Sequence, residues 1–296
     1  MLLDKRIPLS YIVKKVKMEI LVVLLFTTAI IFAKQYLHIP FELPPTIPAG
    51  LGTAISLVLA FKLNQSYDRW WEARKIWGAI VNDSRSLSIQ FINFTLDQSR
   101  HEIRDCIYRQ IGWCYALSNA LRKTGDYSRS ASFLSKEEYA AVKSSSNAPL
   151  LIASFISSDI RTLFKDGQLN QFQQVQMDDT MVRLVASMGK AERIKNTVFP
   201  KTYRMFLTFF VYIFLLTLAI SLSDLHPAFE IPLLVTIALP FFLLTKTSVA
   251  IQDPFEDLPT DTSMLAISET IETNLKELIQ DQSPVVKESD REFYYM

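Results

Sequence analysis

Four stretches of the chain carry no charged residue and are rich in Leu, Ile, Phe and Val: Ile20–Ala33, Leu43–Phe61, Met205–Ser223 and Ile231–Thr245. A membrane-spanning helix needs about 20 apolar residues. The first and fourth stretches are shorter than this, so we expect their helices to continue into the charged sequence beside them. One such stretch could be a buried helix of a soluble protein, but four, in two pairs, favour four membrane spans.

The second stretch begins with Pro44, Pro45 and Pro48, so we expect its helix to start near Ala49. Lys and Arg are frequent before the first span, after the second and before the third, and scarce in the two short connections between paired spans. Because Lys and Arg are enriched in cytoplasmic segments, this pattern predicts a multi-pass protein of the inner cell membrane with both termini in the cytoplasm.

The long middle of the chain shows the spacing of amphipathic helices, for example at Ile107, Ile111 and Leu117. Ser128–Asn147 is polar and predicts a loop with one short helix. Asp261–Gln280 predicts a further helix, capped by its Thr or Ser, and a flexible tail follows it. The sequence thus predicts an all-α membrane protein in four parts. They are 1–63 with two spans, 64–204 as a cytoplasmic helical region, 205–250 with two spans, and 251–296 as a cytoplasmic helix and tail.

Composition excludes several classes of protein. Only 7 of the 296 residues are Gly, and they do not form a dinucleotide-binding or phosphate-binding loop pattern. The net charge of +1 gives no support for nucleic-acid binding. Cys106 and Cys114 are too far apart on one helix for a disulfide, so we expect reduced, partly buried thiols. The three histidines are scattered and form no catalytic set, so we expect no enzyme and no cofactor.

The segment after the second span is the most distinctive part of the sequence. Trp70, Trp71 and Trp77 stand among Arg and Lys residues, as in the aromatic belt at a membrane surface. A belt explains these residue types but not their order. The order Tyr67-x-Arg69-x-Trp71-Glu72-Ala73-Arg74-x-x-Trp77-Gly78-x-x-x-Asn82 resembles the signature of the prokaryotic bestrophins.

The resemblance covers nearly the whole chain. It includes the paired spans, the run Glu192-Arg193-Ile194-x-Asn196-Thr197 before the third span, and Asp253-Pro254-Phe255 after the fourth. It implies a homopentameric ion channel with one central pore, lined by the second span and then by cytoplasmic helices. The implied partners are membrane lipids, further copies of the chain and permeating monovalent ions.

Thr53, Leu57 and Phe61 lie four residues apart and therefore share one helical stripe. The bestrophin pattern places a hydrophobic neck at these positions, where an apolar collar can gate a pore by dewetting. Thr53 departs from the usual apolar residue and should leave its level wetter. The alternative is that Leu57 and Phe61 face lipid or a neighbouring helix.

The same stripe continues through Asn64 and Asp68. Five Asp68 side chains around one axis would form a negative ring that favours cations. The alternative is an ion pair between Asp68 and Arg69 or Arg74 of a neighbouring copy.

The resemblance also implies a second, cytoplasmic aperture, which falls at Phe172. This Phe stands among Gln and Asn, which is unusual for a solvated surface and reasonable for a ring around a pore. The alternative is core packing, because Leu169 and Val175 share its helical spacing.

Eukaryotic bestrophins hold Ca²⁺ in an acidic run after the fourth span. Here the matching segment carries Asp253, Glu256, Asp257 and Asp261, interrupted by Leu and Pro. Because a Ca²⁺ site needs six to eight oxygen ligands, we expect no tight Ca²⁺ site and no other metal site.

The family includes chloride channels and sodium-permeable prokaryotic members, and an apolar neck does not select between them. Asp68 and the acids after the fourth span favour cations, whereas Lys62 and Arg69 favour anions. We expect cations to be preferred. The alternatives are a chloride channel of the same fold and a membrane-anchored scaffold that does not conduct.

Overall fold

The computed structural model describes residues 9–37, 43–95, 100–197, 201–222 and 225–288, and this part of the chain is helical, with no strand. The helices are α1 (Leu9–Leu37), α2 (Thr46–Phe94), α3 (Arg100–Arg122), α4 (Lys136–Ser144), α5 (Ala148–Lys165), α6 (Gln171–Asn196), α7 (Lys201–Ser221), α8 (Pro227–Ala250) and α9 (Met264–Leu278). A 3-10 helix, Ser128–Phe133, precedes α4. The all-α class predicted from the sequence is confirmed.

The chain divides into two compact units. Among the described residues, the membrane unit contains those from Leu9 to Arg69 and from Lys201 to Gln252, and the helical unit contains those from Trp70 to Thr197 and from Asp253 to Glu288. Helix α2 supplies residues to both. Its 49 residues make it about 74 Å long at 1.5 Å per residue, which far exceeds the roughly 30 Å of a bilayer core.

The core of the membrane unit is assembled from all four of its helices. Val23 of α1, Ile55 and Leu59 of α2, Val211 of α7 and Phe242 of α8 are buried together. Helices α1, α2 and α8 each contain a window long and apolar enough to cross a membrane, whereas the apolar part of α7, Met205–Ser221, is shorter. Over the described residues, three of the four predicted spans therefore meet the criterion of length and composition.

The prediction that short apolar stretches continue as helices into charged sequence is confirmed. Helix α1 begins well before Ile20, and α8 extends beyond Thr245. Glu19 of α1 and Lys246 of α8, which bound two of the stretches, form an ion pair of 2.6 Å. The charged flanks are thus paired between two helices of the same unit. Lys5, Arg6 and Asp224, which also entered the charge pattern, lie outside the described residues.

One glycine in the membrane unit marks a close approach of two helices. A Cβ added to Gly52 of α2 would lie 3.0 Å from the Phe214 ring of α7, whereas a Cβ at Gly50 would meet nothing within 4 Å. At Gly52 the absence of a side chain therefore permits the packing of α2 on α7. Helix α2 starts at Thr46, three residues earlier than predicted, because Pro48 is tolerated in a first helical turn.

The helical unit has its core around α3. Ile107, Ile111 and Leu117 are fully buried, as their spacing predicted, and α3 packs against α5, α6 and α9. Ion pairs support this packing. Arg109 of α3 contacts Glu138 of α4 at 2.6 Å and Asp159 of α5 at 3.0 Å.

The C-terminal segment differs from the prediction in two ways. Helix α9 starts at Met264, and Ser263 at its N-cap makes no side-chain capping bond, so neither of the expected caps operates. The segment after α9 is bound rather than loose over its described part. The Glu288 N–H donates to Glu269 at 2.6 Å, and the Arg129 guanidinium contacts Glu288 at 3.3 Å. The tail from residue 289 lies outside the described residues.

Candidate functional site

The predicted pore stripe lies on the exposed side of α2 within the membrane unit. Thr53, Leu57 and Phe61 are all exposed, and Leu57 and Phe61 each keep nearly three fifths of their accessible surface (58% and 59%). The opposite side of the same helix is buried, with Ile55 at 6% and Leu59 at 2%. An exposed Leu–Phe pair on a membrane-length helix must face lipid, another chain or a pore.

The hydroxyl groups of Thr53 and Ser56 bond to the backbone of α2 itself. Thr53 Oγ1 donates to the Ala49 carbonyl at 2.9 Å, and Ser56 Oγ donates to the Gly52 carbonyl at 2.7 Å. This pattern satisfies a hydroxyl inside an apolar environment. Each oxygen still has a lone pair that can accept a bond from water, so Thr53 remains the most polar position of the predicted neck.

Asn64 and Asp68 continue the exposed side of α2. Within the part of the chain that the structure describes, Asp68 forms no ion pair. No described residue of its own chain therefore neutralises its carboxylate through an ion pair. A pair with Arg69 or Arg74 of a neighbouring copy remains the alternative.

Lys62 and Arg69, the two basic residues that would favour anions, point toward the interior of the membrane unit. Lys62 is 1% exposed, and its Nζ lies 5.9 Å from the centre of the Tyr203 ring. Arg69 is half-buried, and its Nε donates to the Gln252 carbonyl at 3.0 Å. The positive charges near the stripe thus lie against α7 and the segment just after α8, while Asn64 and Asp68 lie on the exposed side.

The residues of the bestrophin-like motif that follow Asp68 do not share one environment. Trp77 is fully buried in the core of the helical unit, so the expectation that it lies at headgroup level is wrong. Its large apolar ring buries more surface in the core of that unit, and so stabilises the fold more, than it would at a membrane surface. Trp71 is about half exposed, and Asn82 is exposed. Glu72 pairs with Lys75 at 2.8 Å.

The signature segment is also tied to the chain that follows α8. Trp70 Nε1 donates to the Thr260 carbonyl at 2.8 Å, inside the helical unit. Arg85, further along α2, donates to Asn274 Oδ1 of α9 at 2.6 Å. Two side chains of α2 are therefore fixed by segments far away in sequence, which no local pattern indicates.

Phe172 lies in the first turn of α6 and is 87% exposed. Asn170 and Gln173 close the start of this helix with a reciprocal capping box, with bonds of 2.9 and 2.8 Å. Leu169 is buried, whereas Phe172 and Val175 are exposed, so Phe172 does not pack in the core formed by the described residues. A fixed helix start therefore presents an exposed aromatic ring.

The acidic run after α8 is folded by its own carboxylates. Asp253 accepts a bond from Lys195 Nζ at 2.7 Å and from the Phe255 N–H at 3.1 Å. Asp257 pairs with Arg122 at 3.2 Å. Across the described residues, no three His, Cys, Asp or Glu side chains stand close enough together to hold a metal ion.

Asp261 is the residue of this run that sequence reasoning undervalued. It is buried, and its Oδ2 accepts the N–H groups of Glu256 at 2.6 Å and Leu258 at 3.1 Å. Burial raises the pKa of the Asp261 carboxyl to about 7, although those two N–H groups oppose the rise. Its partners are backbone groups, so side-chain identities could not have indicated its role.

Cys106 and Cys114 are structural residues and do not belong to the candidate site. Both thiols are buried and free, as the sequence predicted, and burial raises the pKa of Cys114 to about 12 and that of Cys106 still further. Thiolates are the reactive form, so both side chains are unreactive at neutral pH.

The comparisons with known proteins all indicate the same family. Residues 6–277 match the model of the family described as Bacterial/Fungal Bestrophin protein. The voltage-dependent anion channel-forming protein YneE of Escherichia coli is 30% identical over 272 residues, covering 90% of this chain and 88% of that protein. A voltage-dependent anion channel-forming protein of Ralstonia nicotianae is 26% identical over 84% of this chain and 82% of its own length.

Solved structures agree with these relatives. A crystal structure of a bacterial bestrophin homologue from Klebsiella pneumoniae superposes with a TM-score of 0.82 at 26% identity, covering 90% of this chain and 99% of that chain. A second structure, described as a membrane protein, has a TM-score of 0.84 at 26% identity and covers 90% of this chain and all of its own. The chain is a member of the bacterial and fungal bestrophin family, whose fold is that of a membrane ion channel rather than an enzyme.

Proposed function

We propose that this protein is a channel for monovalent ions whose pore is lined by the exposed side of α2. The observation that carries the proposal is the exposure of Leu57 and Phe61 on a membrane-length helix whose other side is packed inside the chain. Several copies around one axis would bring these side chains together as an apolar neck, with Thr53 at its more polar level. An apolar constriction of this kind gates ion flow by dewetting.

A ring of Phe172 side chains forms the second, cytoplasmic constriction in this proposal. The exposure of Phe172 and the capping box that fixes its helix start support it. The protein then lies in the inner membrane with both termini in the cytoplasm, and residues 64–204 and 251–296 form its cytoplasmic part. The Lys and Arg distribution around the spans supports this orientation.

We expect five copies to surround the pore, as the resemblance to bestrophins implies. The apolar stripe and Asp68 are exposed on the single chain, which agrees with a site that is completed only by further copies. Native mass spectrometry of the detergent-solubilised protein should give five times the 33.9 kDa of the chain. A stable complex of any other number would contradict this assembly.

Cation preference is the selectivity that the geometry favours. The exposed side of α2 presents Asn64 and an Asp68 without an ion pair among the described residues, whereas Lys62 and Arg69 are held inside the chain. Anion conduction is the second candidate, because the relatives from Escherichia coli and Ralstonia nicotianae are named anion channel-forming proteins.

Reconstitution into planar bilayers with a NaCl gradient tests these functions. We expect a current whose reversal potential lies toward the Na⁺ equilibrium potential. A reversal potential toward that of Cl⁻ would overturn cation preference and support the anion candidate. Absence of current from correctly assembled protein would contradict both and favour the non-conducting scaffold.

Substitution by cysteine tests whether Leu57 borders the water-filled path. A water-soluble thiol reagent should react with Leu57→Cys and reduce the current to a small fraction, because the adduct fills the narrow neck. Leu59→Cys is the matched control, since this neighbouring side chain is buried within the chain. Neither native thiol should react, because both are buried. A Leu57→Cys channel that conducts unchanged after treatment would place the stripe against lipid or protein.

Asp68 is tested by changing its charge without changing its size. Asp68→Asn should move the reversal potential toward zero, because it removes a ring of negative charge from the pore wall. Asp68→Glu keeps the charge and should keep the cation preference. If Asp68→Asn has the same reversal potential as the wild type, Asp68 does not set the selectivity, and the alternative of an ion pair with a neighbouring copy is favoured.

A further inference from the structure

The 253–263 loop, the segment that leads into α9, is organised around one buried carboxyl group. Asp261 is 1% exposed, and its Oδ2 accepts two backbone N–H groups from the other side of the loop, those of Glu256 and Leu258. Its own N–H donates to the Leu258 carbonyl at 2.9 Å. The Thr262 N–H donates to the Pro254 carbonyl at 3.1 Å and closes the loop at its base. Asp261 is therefore bonded through both its side chain and its backbone.

The second oxygen of this carboxyl group has no such partners. Asp261 Oδ1 is buried and makes no hydrogen bond to any residue that the structure describes, and the same is true of the hydroxyl oxygens of Thr260 and Thr262 on either side of it. Burial of an ionised carboxylate with one oxygen left unbonded carries a large free-energy penalty. A proton on Oδ1 removes the charge and still leaves Oδ2 free to accept both N–H groups.

The charges around the loop do not compensate the anion. Asp253 and Glu256 are acids of the same loop, and their negative charge raises the pKa of Asp261 further. The nearby cations are engaged elsewhere, Lys195 of α6 with Asp253 and Arg122 of α3 with Asp257. Helix α2 contributes Trp70, which is uncharged and donates to the Thr260 carbonyl.

We propose that the 253–263 loop is a proton-dependent element, closed when Asp261 carries a proton and opening to water when Asp261 loses it. The loop holds Trp70 through Thr260, and Trp70 belongs to α2, the helix that also carries the neck residues. Loop opening therefore removes a contact from that helix and changes the current. This last step rests on the proposed channel function, whereas proton binding by the loop does not.

The direction follows from the difference between the closed and open states. The pKa of the carboxyl is about 7 in the closed loop and about 3.9 when it is exposed to water. The closed state is thus most favoured at low pH. Its advantage falls as pH rises from about 4 to 7, and it then stays low. By linkage, the closing equilibrium should weaken about tenfold between pH 6 and pH 8.

Hydrogen exchange of the full-length channel in detergent measures this equilibrium. After correction for the intrinsic pH dependence of exchange, the amides of residues 253–263 should lose about tenfold of their protection between pH 6 and pH 8. Asp261→Asn should abolish this loss, because it is neutral at both values. Asp257→Asn is the matched control in the same loop, and it should keep the wild-type response. Equal protection of the wild type at the two pH values overturns the proposal without use of any variant.

Bilayer currents of the same proteins complete the test. The wild-type current should differ between pH 6 and pH 8 on the cytoplasmic side, and the Asp261→Asn current should not. If the protection of the loop changes with pH but the current does not, the coupling between the loop and α2 is overturned. If the loop responds and no current flows at any pH, the proposed function fails while proton binding stands. If current flows and the loop does not respond, the inference fails and the channel stands.

Discussion

Helix α2 buries one side of its length within its own chain and leaves the other side exposed. Ile55 and Leu59 pack into the core of the membrane unit, and Trp77 and Ile80 pack into the core of the helical unit. Because side chains three and four residues apart share one side of a helix, fixing the buried side also fixes where Leu57, Phe61 and Asp68 point. The candidate pore stripe is therefore a consequence of how α2 packs within the membrane unit.

The distribution of charge along this helix follows from the same packing. Lys62 and Arg69 occupy the inward-facing or half-buried side, where a ring and a carbonyl oxygen receive them. Charged groups are costly inside a membrane protein unless they are partnered, so such contacts are the expected environment for basic residues at the end of a span. After the neck, Asn64 and Asp68 are among the polar groups on the exposed side of α2. In the proposed channel, selectivity would depend on which side of one helix each charge occupies, more than on net charge.

Much of the fold could be predicted from the chain itself. Uncharged stretches indicated the apolar helices, and the spacing of Ile107, Ile111 and Leu117 indicated a helix that proved to be central to the core. Helix ends were predicted less well. Ser263 lies at the N-cap of α9, as expected, but its side chain makes no capping bond, and Thr262 is buried inside the preceding loop. The surroundings of Trp77 were also missed, since a Trp beside Arg and Lys is equally compatible with a membrane surface and with a core.

The sequence by itself determined the class of protein, because lipid-length apolar helices and an ordered Trp-rich motif follow from residue identity and spacing alone. Helical spacing also placed Thr53, Leu57 and Phe61 on one stripe, and the resemblance to bestrophins made these residues and Phe172 candidates. Only the tertiary structure decided which of these side chains are exposed, that Lys62 is buried, and that Asp261 closes a loop with one oxygen unbonded. The physical reason is that helical periodicity is a local property of the chain. Burial, hydrogen bonding to backbone groups and the neutralisation of a charge depend on residues far away in sequence.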